Sequence, residues 1–311
     1  MTQLSIVVPC FNEEAMLPET FKRLTALLNQ LIANNRITDS SRIYFVDDGS
    51  RDRTWELIEE AFRENPRIGG VKLSRNMGHQ KALLAGLLSV PGDAIVSIDA
   101  DLQDDPQVIM QMINHYHSGA QIVYGVRRRR DTDTRFKRMT AEAYYHILQT
   151  MGVDVVFNHA DYRLMSRRAV DALKDYGEVN VFLRGIIPTI GYQSTVVEYN
   201  RVERFAGESK YPLRKMIALA LDGVTSFSAM PLRFIALLGL MTFVGSILIS
   251  LWVLWIRLVS DDALPGWAST VLPMSFLGGT QLLGIGVLGE YVSKIYMETK
   301  RRPRYIIDRI I

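Results

Sequence analysis

The chain has 311 residues, of which 36 are Lys or Arg and 33 are Asp or Glu, so the formal net charge is only +3. The small net charge by itself indicates no class of partner. The length accommodates one large domain and an appendage, and the single cysteine, Cys10, excludes an internal disulfide.

Two apolar runs near the start of the chain predict parallel strands that end at one edge of a sheet. Leu4–Pro9 precedes Asn12-Glu13-Glu14, a helix cap with early acidic residues, and Arg42–Val46 runs into Asp47-Asp48-Gly49-Ser50. Parallel strand–helix units bring the carboxyl ends of their strands to the same rim. A carboxylate there, such as Asp47, can accept a hydrogen bond from a uracil imide or a ribose hydroxyl. The chain has no Walker or dinucleotide glycine fingerprint.

A third apolar run, residues 94–98, ends in two carboxylates one residue apart, Asp99 and Asp101. Asp101 and the amide oxygen of Gln103 are hard donors suited to Mg²⁺ or Mn²⁺, which leave coordination sites open for diphosphate oxygens. Most short acidic loops are solvated turns, so the pattern predicts a metal site only together with its neighbours. His79 and His159 are interpreted as ordinary polar side chains, because no second histidine or cysteine lies at a metal-ligand spacing.

The middle of the chain has a basic cluster that follows a strand predicted at residues 121–124. Arg127–Arg130 comes first, and Arg135, Lys137 and Arg138 follow. A charge run is usually a solvated loop or a nucleic-acid patch. We expect no nucleic-acid partner, because a recognition helix, an aromatic stacking platform and an RNA-binding motif are all missing from the sequence. Arginines can instead draw a phosphate headgroup or anionic lipid toward the site.

Two long runs near the end of the chain carry no charge, Phe234–Ile256 and Trp267–Gly289. A helix rises about 1.5 Å per residue, so either run would cross a hydrocarbon core of about 30 Å. Basic residues flank the pair, whereas Asp261 and Asp262 lie in the connection, which predicts a two-span hairpin with both termini cytoplasmic. Two buried core helices are the alternative. Before them, Tyr211–Phe227 predicts an amphipathic helix that lies in the bilayer surface or packs on the domain.

Six short segments, found in a fixed order, carry a family resemblance. They are Val7–Glu14, Val46–Ser50, Ser74–Gly78, Asp99–Pro106, Ala160–Leu164 and Arg204–Tyr211. With them the chain resembles an inverting family-2 glycosyltransferase, and in particular the polyprenyl-phosphate glycosyltransferases, which include bactoprenol glucosyltransferases and dolichol-phosphate mannose synthases. The resemblance implies an α/β fold of the GT-A class, Rossmann-like with a mostly parallel sheet, followed by interfacial helices and a transmembrane hairpin in the bacterial inner membrane.

The implied organisation has five parts. They are a nucleotide-sugar-binding half at 1–125, an acceptor-binding half at 126–210, an interfacial helix at 211–230, two transmembrane helices at 231–290, and a basic cytoplasmic tail at 291–311. The lipid bilayer is thus an expected partner. Small residues in the second span would permit close helix packing within one chain or in a homo-oligomer, namely Gly278, Gly279, Gly284 and Gly286.

The resemblance also implies roles for individual residues. The nucleotide sugar is expected to contact Pro9, Glu13, Asp47, Asp48, Arg75 and Asp99, although the segment of Arg75 could equally be a structural turn. The metal is expected on Asp99, Asp101 and Gln103. The acceptor phosphate is expected to contact Arg127, Arg138, Arg204, Ser209 and Lys210.

Asp161 matches the position that the family assigns to a general base, and with Asp99 and Asp101 it completes the expected catalytic set. A phosphate monoester has its second pKa near 6 and is largely dianionic at neutral pH, so it needs little deprotonation. Asp161 is therefore expected either to take a proton or to orient the acceptor. A structural pair with Arg163 is the alternative.

The implied reaction is inverting, in-line transfer of a hexose from a UDP-sugar to undecaprenyl phosphate, for modification of a cell-envelope glycan. Glucose is the first choice, because Ile285–Tyr291 and Glu298–Pro303 resemble bacterial glucosyl-carrier synthases. Mannose or an amino or deoxy sugar is the alternative donor group. A membrane-tethered binding protein without activity is the alternative of a different class.

Overall fold

The computed structural model describes residues 1–128, 159–179, 181–200, 230–259 and 266–311. The strands are β1 (Leu4–Cys10), β2 (Arg42–Asp47), β3 (Ile68–Leu73), β4 (Ala94–Ser97), β5 (Ile122–Arg127), β6 (His159–Ser166), β7 (Ser194–Tyr199) and β8 (Ile307–Ile310). The helices are α1 (Leu17–Ala33), α2 (Thr54–Glu64), α3 (His79–Ser89), α4 (Val108–His117), α5 (Arg167–Ala172), α6 (Leu183–Thr189), α7 (Met230–Val259) and α8 (Gly266–Thr299).

All of these strands belong to one sheet, in the order β7-β5-β6-β4-β1-β2-β3-β8. Its centre is parallel, because β1 pairs with β2 and β4, and β2 pairs with β3, in the same direction. β6 runs antiparallel to β4 and β5, and β8 runs antiparallel to β3. The Rossmann-like α/β class predicted from the sequence is thus confirmed, with a mixed sheet. The carboxyl ends of β1, β2 and β4 meet at one edge, as their order requires.

Two hydrophobic clusters cover the two faces of the sheet. Alternate residues of β1 point into different clusters, Ile6 and Val8 into one and Val7 into the other. The first cluster includes buried side chains of α1, α2 and α4, and the second includes those of α3, α5 and α6. Because helices cover both faces, β1 is buried along its whole length, which explains its unbroken apolar sequence.

The predicted membrane hairpin requires correction. Helices α7 and α8 form where the two uncharged runs lie, with 30 and 34 residues. Across the described part of the chain, however, the length and the apolar character needed to cross a membrane do not occur together in any helix. The two-span prediction, and with it the inner-membrane location with both termini cytoplasmic, is therefore wrong. It relied on length and absence of charge, neither of which measures the transfer free energy of the side chains; Thr280 and Gln281, for example, are uncharged but polar.

The end of the chain returns to the sheet. Helix α8 continues to Thr299, and β8 then pairs with β3, where the Ile311 amide and carbonyl exchange hydrogen bonds of 2.9 and 3.0 Å with Gly70. One residue beyond β3, the Ser74 amide donates to the Ile306 carbonyl at 2.9 Å. The part of the chain predicted as a basic tail thus contributes an edge strand. The predicted interfacial helix at Tyr211–Phe227 lies outside the described residues.

Helix α3 packs closely on the centre of the sheet through Gly86. A Cβ atom at this position would lie 2.5 Å from Cγ1 of Val7 and 2.6 Å from Cγ2 of Val46. Both valines are fully buried in the second cluster, so neither has free space into which to move. The glycine therefore sets how near α3 comes to β1 and β2.

We predict that Gly86→Ala lowers the free energy of unfolding by about 1–3 kcal/mol, because the added methyl overpacks the contact with β1 and β2. Urea unfolding followed by circular dichroism measures the change. Gly177→Ala is the matched control, since a Cβ there meets no atom within 4 Å; it should alter the unfolding free energy by less than about 0.5 kcal/mol. Equal stability of the two variants would contradict the packing argument.

Candidate active site

A pocket of 570 Å³ opens beside the carboxyl ends of β2 and β3. Its wall includes the aromatic ring of Phe11, which is 40% exposed, and the three cationic side chains of Arg51, Lys72 and Arg75. An exposed ring offers a stacking surface, and the cations favour an anionic ligand. Of the residues predicted to bind the nucleotide sugar, Arg75 lines this pocket.

Asp47, at the end of β2, is fully buried next to the pocket. Its Oδ1 accepts a hydrogen bond of 3.1 Å from the amide of Ser50, which lines the pocket. Its Oδ2 is buried and has no hydrogen-bond partner among the described residues. Burial is the main reason that the pKa of Asp47 is raised, although the hydrogen bonds from Ser50 oppose the shift. One carboxylate oxygen thus lacks the donor that buried polar atoms normally have.

Asp48 has a different environment from Asp47. Its two oxygens accept hydrogen bonds from the amides of Met77 at 2.7 Å and Gly78 at 2.9 Å. It therefore fastens the segment after β3 to the end of β2. Gly49 completes this junction, because its φ is +67° and a Cβ would lie 2.5 Å from the backbone of Arg75. Contact of Asp48 with a nucleotide stays a prediction.

The two predicted donor residues of the first strand–helix unit lie at the same edge of the sheet. Pro9 lies within β1, opposite Val46 of β2. Glu13 follows β1, and its amide donates to Oγ1 of Thr54 at 2.9 Å. These contacts place both residues near the end of β2, and their binding of a nucleotide stays a prediction.

The acidic loop after β4 is a tight turn. Oδ1 of Asp101 accepts a hydrogen bond of 3.2 Å from the Gln103 amide, and Leu102 between them has a positive φ of 53°. Asp99 is 34% exposed, and its pKa is raised mainly by burial and further by Asp161 and other nearby carboxylates. In the residues that the structure describes, no group of three His, Cys, Asp or Glu side chains is placed to hold a metal ion. The metal trio stays a prediction.

Arg127 contacts the acidic loop. Its guanidinium donates to both oxygens of Asp104, at 3.1 to 3.3 Å, and the Tyr199 hydroxyl donates to Oδ1 of Asp104 at 2.6 Å. Asp104 is almost completely buried, so this ion pair joins the loop to β5 and β7. Binding of an acceptor phosphate by Arg127 stays a prediction. The other residues predicted for that role, Arg138, Arg204, Ser209 and Lys210, lie outside the described residues.

Asp161, on β6, is the centre of a charged cluster. Arg184 of α6 donates to its two oxygens through Nε at 3.2 Å and Nη2 at 3.1 Å. Arg163 donates to Oδ1 at 2.5 Å, and Gln80 of α3 donates to Oδ2 at 3.0 Å. Nε2 of His79 lies 3.4 Å from Asp161 and 3.6 Å from Asp99. The cluster therefore joins the acidic loop to α3 and α6.

These neighbours fix the charges of the cluster. Burial acts to raise the pKa of Asp161, but Arg184, His79 and Arg163 outweigh it and hold that pKa well below its usual value. Burial acts to lower the pKa of His79, but Asp161 and Asp99 outweigh it and raise the pKa to about 9. At neutral pH the cluster therefore contains an ionised Asp161 and a protonated His79. A carboxylate with so low a pKa is a weak proton acceptor.

Three site residues were not found from the sequence, namely His79, Gln80 and Arg184. The interpretation of His79 as an ordinary polar side chain overlooked its position directly after the segment Ser74–Gly78, where β3 ends and α3 begins. That position at the sheet edge was the available signal. Arg184 had none, because α6 reaches Asp161 only through the tertiary fold.

Comparisons with known proteins give one consistent family. The model described as "Glycosyl transferase family 2" matches residues 5–174. The chain is 50% identical to the "Uncharacterized glycosyltransferase YkoT" of Bacillus subtilis (strain 168), covering 98% of this chain and 91% of that protein. It is 40% identical to a "Bactoprenol glucosyl transferase" of Shigella phage SfX, covering 98% of both. It is 38% identical to a "Prophage bactoprenol glucosyl transferase homolog" of Escherichia coli (strain K12), covering 99% of both.

We predict that Asp161→Asn lowers the free energy of unfolding by about 3–5 kcal/mol at neutral pH, because it leaves the fully buried Arg163 without its carboxylate. Chemical unfolding measures the loss. A depressed pKa contributes stability above the unfolded value of about 3.9, so the difference from wild type should shrink as the pH falls below that value.

The control for this substitution is Asp171→Asn, whose exposed ion pairs with Lys174 and Arg167 span 2.8 and 3.5 Å. Its effect should stay below about 1 kcal/mol. Equal losses for the two variants would show that the buried cluster stabilises the fold no more than the ion pairs of Asp171 do.

Proposed function

The chain belongs to glycosyl transferase family 2, and from that premise we propose that it transfers glucose from UDP-glucose to undecaprenyl phosphate, with inversion at the anomeric carbon. The observation that carries this proposal is the end-to-end similarity, at 38–40% identity, to relatives named as bactoprenol glucosyl transferases. The product is a polyprenyl-phosphate sugar, which serves modification of a cell-envelope glycan. The chain is a glycosyltransferase rather than an inactive binding protein.

The pocket beside β2 and β3 is the proposed donor site. A uracil imide N–H would supply the missing hydrogen bond to the buried Oδ2 of Asp47. The ring of Phe11 offers a stacking surface for the base, and Arg75 and Lys72 offer positive charge to the diphosphate. The combination of a flat apolar surface, a buried acceptor and cations suits a nucleoside diphosphate.

The acidic loop is the proposed site of a divalent cation, Mg²⁺ or Mn²⁺. The residues present fit such an ion, because Asp99 and Asp101 are incompletely buried carboxylates on one loop, and crowding with other acids helps to raise the pKa of Asp99. Asp99, Asp101 and Gln103 would hold the cation. When bound, it supplies positive charge that offsets the charge of the leaving diphosphate.

The acceptor phosphate needs no base. Its second pKa is near 6, so it is already a nucleophilic dianion at neutral pH. Asp161 has a strongly depressed pKa and is held by two arginines, which suits a carboxylate that orients neighbouring groups. We therefore assign Asp161 to orientation of the reacting groups, and the lipid phosphate displaces UDP directly from the opposite face of the sugar.

We predict that the wild-type chain transfers label from UDP-[¹⁴C]glucose to undecaprenyl phosphate, and that Asp101→Ala reduces the rate at least about 100-fold in Mg²⁺ or Mn²⁺ buffer. Extraction of the lipid phase and scintillation counting measure the product. Chelation of the metal should reduce the wild-type rate to a similar extent.

Asp171→Ala serves as the control, because Asp171 forms partly exposed ion pairs with Arg167 and Lys174 and has no part in the proposed site, and it should transfer at the wild-type rate. Parallel reactions with other labelled nucleotide sugars identify the preferred donor. A wild-type chain that labels no lipid would overturn the function, and a fully active Asp101→Ala would overturn the metal site.

We predict that Asp47→Asn raises KM for UDP-glucose roughly 10- to 100-fold, because a charged acceptor of the base hydrogen bond is replaced by a neutral amide. Steady-state kinetics at saturating undecaprenyl phosphate measure the change. Glu56→Gln, an exposed substitution in the first turn of α2, is the control and should leave KM unchanged. If Asp47→Asn left KM unchanged, the proposal that the uracil binds at this end of β2 would be wrong.

A further inference from the structure

The charged cluster at Asp161 has a buried side and a partly exposed side. Asp161 is 5% exposed and Arg163 is fully buried, whereas Arg184 is 34% exposed and His79 is 38% exposed. The guanidinium of Arg184 is therefore the arginine group of the cluster that solvent can reach. An ion pair that served the fold alone would not require the partly exposed Arg184 in addition to the buried Arg163.

The position of the Arg184 guanidinium is fixed from two directions. Its Nε and Nη2 bind the two oxygens of Asp161, which sets the plane of the fork. Gln80 donates to Asp161 and accepts a hydrogen bond of 3.2 Å from the amide of Leu183, the residue before Arg184. One glutamine thus aligns the carboxylate and the start of α6 together.

Asp161 is itself held in place by β4 and by Arg163. The Ser97 hydroxyl donates to its carbonyl at 2.5 Å, and Arg163 donates to its carboxylate. Nε and Nη1 of Arg163 are buried without a hydrogen-bond partner among the described residues. Burying a charge in this way is costly. Ser97 and Arg163 thus fix the carboxylate that in turn holds Arg184.

We propose that Arg184 binds a phosphate oxyanion of a substrate, and that Asp161, Arg163 and Gln80 are the positioning residues that hold its guanidinium in place. This inference rests on the proposed function, which supplies two such groups, the diphosphate that leaves and the lipid phosphate that attacks. A planar guanidinium is suited to phosphate, and one already held by a carboxylate loses little freedom when the phosphate binds.

The test compares wild type with Arg184→Gln, which removes the charge, and Arg184→Lys, which keeps the charge but loses the fork. Arg168→Gln is the matched control, because Arg168 is an exposed arginine that lies 4.6 Å from the ring centre of Tyr192. Initial rates are measured while UDP-glucose and undecaprenyl phosphate are varied separately. Calorimetric titrations with UDP in Mg²⁺ and with inorganic phosphate require no turnover.

If Arg184 binds the lipid phosphate, Arg184→Gln lowers kcat/KM for undecaprenyl phosphate roughly 10- to 100-fold and weakens binding of inorganic phosphate, while UDP binds as before. If it binds the leaving diphosphate, the UDP affinity falls by that factor instead. Arg184→Lys should recover part of either loss, and it replaces Arg184→Gln if the latter does not fold.

The inference is overturned if both kcat/KM values and both affinities stay within twofold of wild type. It is also overturned if all of them fall only in proportion to the folded fraction, since a purely structural residue would behave in that way. If the wild-type protein labels no lipid, the proposed function is contradicted instead. The two titrations would still decide whether Arg184 binds phosphate.

Discussion

The site depends on one constraint, the parallel pairing of β1 with β2 and β4. Parallel strands that are adjacent in a sheet end on the same side, so the residues that follow them come together whatever their separation in sequence. In this chain those residues are Asp47, Asp48 and the loop that begins at Asp99. The close contact of α3 with β1 and β2 places His79 and Gln80 at the same edge. The antiparallel strand β6 then adds Asp161 from the other side of β4.

Charge balance divides this edge into two parts with different properties. Around β2 and β3, a buried carboxylate oxygen without a partner adjoins a pocket with cationic walls, an arrangement that suits a nucleobase joined to phosphates. Around β6, Arg163, Arg184 and His79 surround the carboxylate of Asp161. The acidic loop lies between them, and His79 joins it to Asp161. A cation on the loop and a phosphate beside Arg184 would each meet charge of the opposite sign.

The neighbours of Asp161 favour orientation of the acceptor over removal of a proton, the two roles that the sequence left open for it. A general base needs a pKa near the working pH, whereas the surrounding cations move this pKa in the opposite direction. The ion pair with Arg163, which the sequence left as the alternative to an active-site role, is present as well. The last residues of the chain also differ from what the sequence predicted. The segment expected as a basic tail contributes β8 to the sheet and accepts a hydrogen bond from Ser74, which lines the pocket beside β2 and β3.

The sequence alone determined the fold class, the family and the carboxylates at the sheet edge. Each depends on local patterns, since an apolar run predicts a strand and the residues after it must lie at the strand's end. The sequence failed where an outcome depends on side-chain transfer energies or on distant contacts. Uncharged length was mistaken for membrane-crossing capacity. The tertiary structure alone decided the environment of Asp161, because Gln80 lies 81 residues from it and 103 from Leu183, and only folding brings them within hydrogen-bond distance.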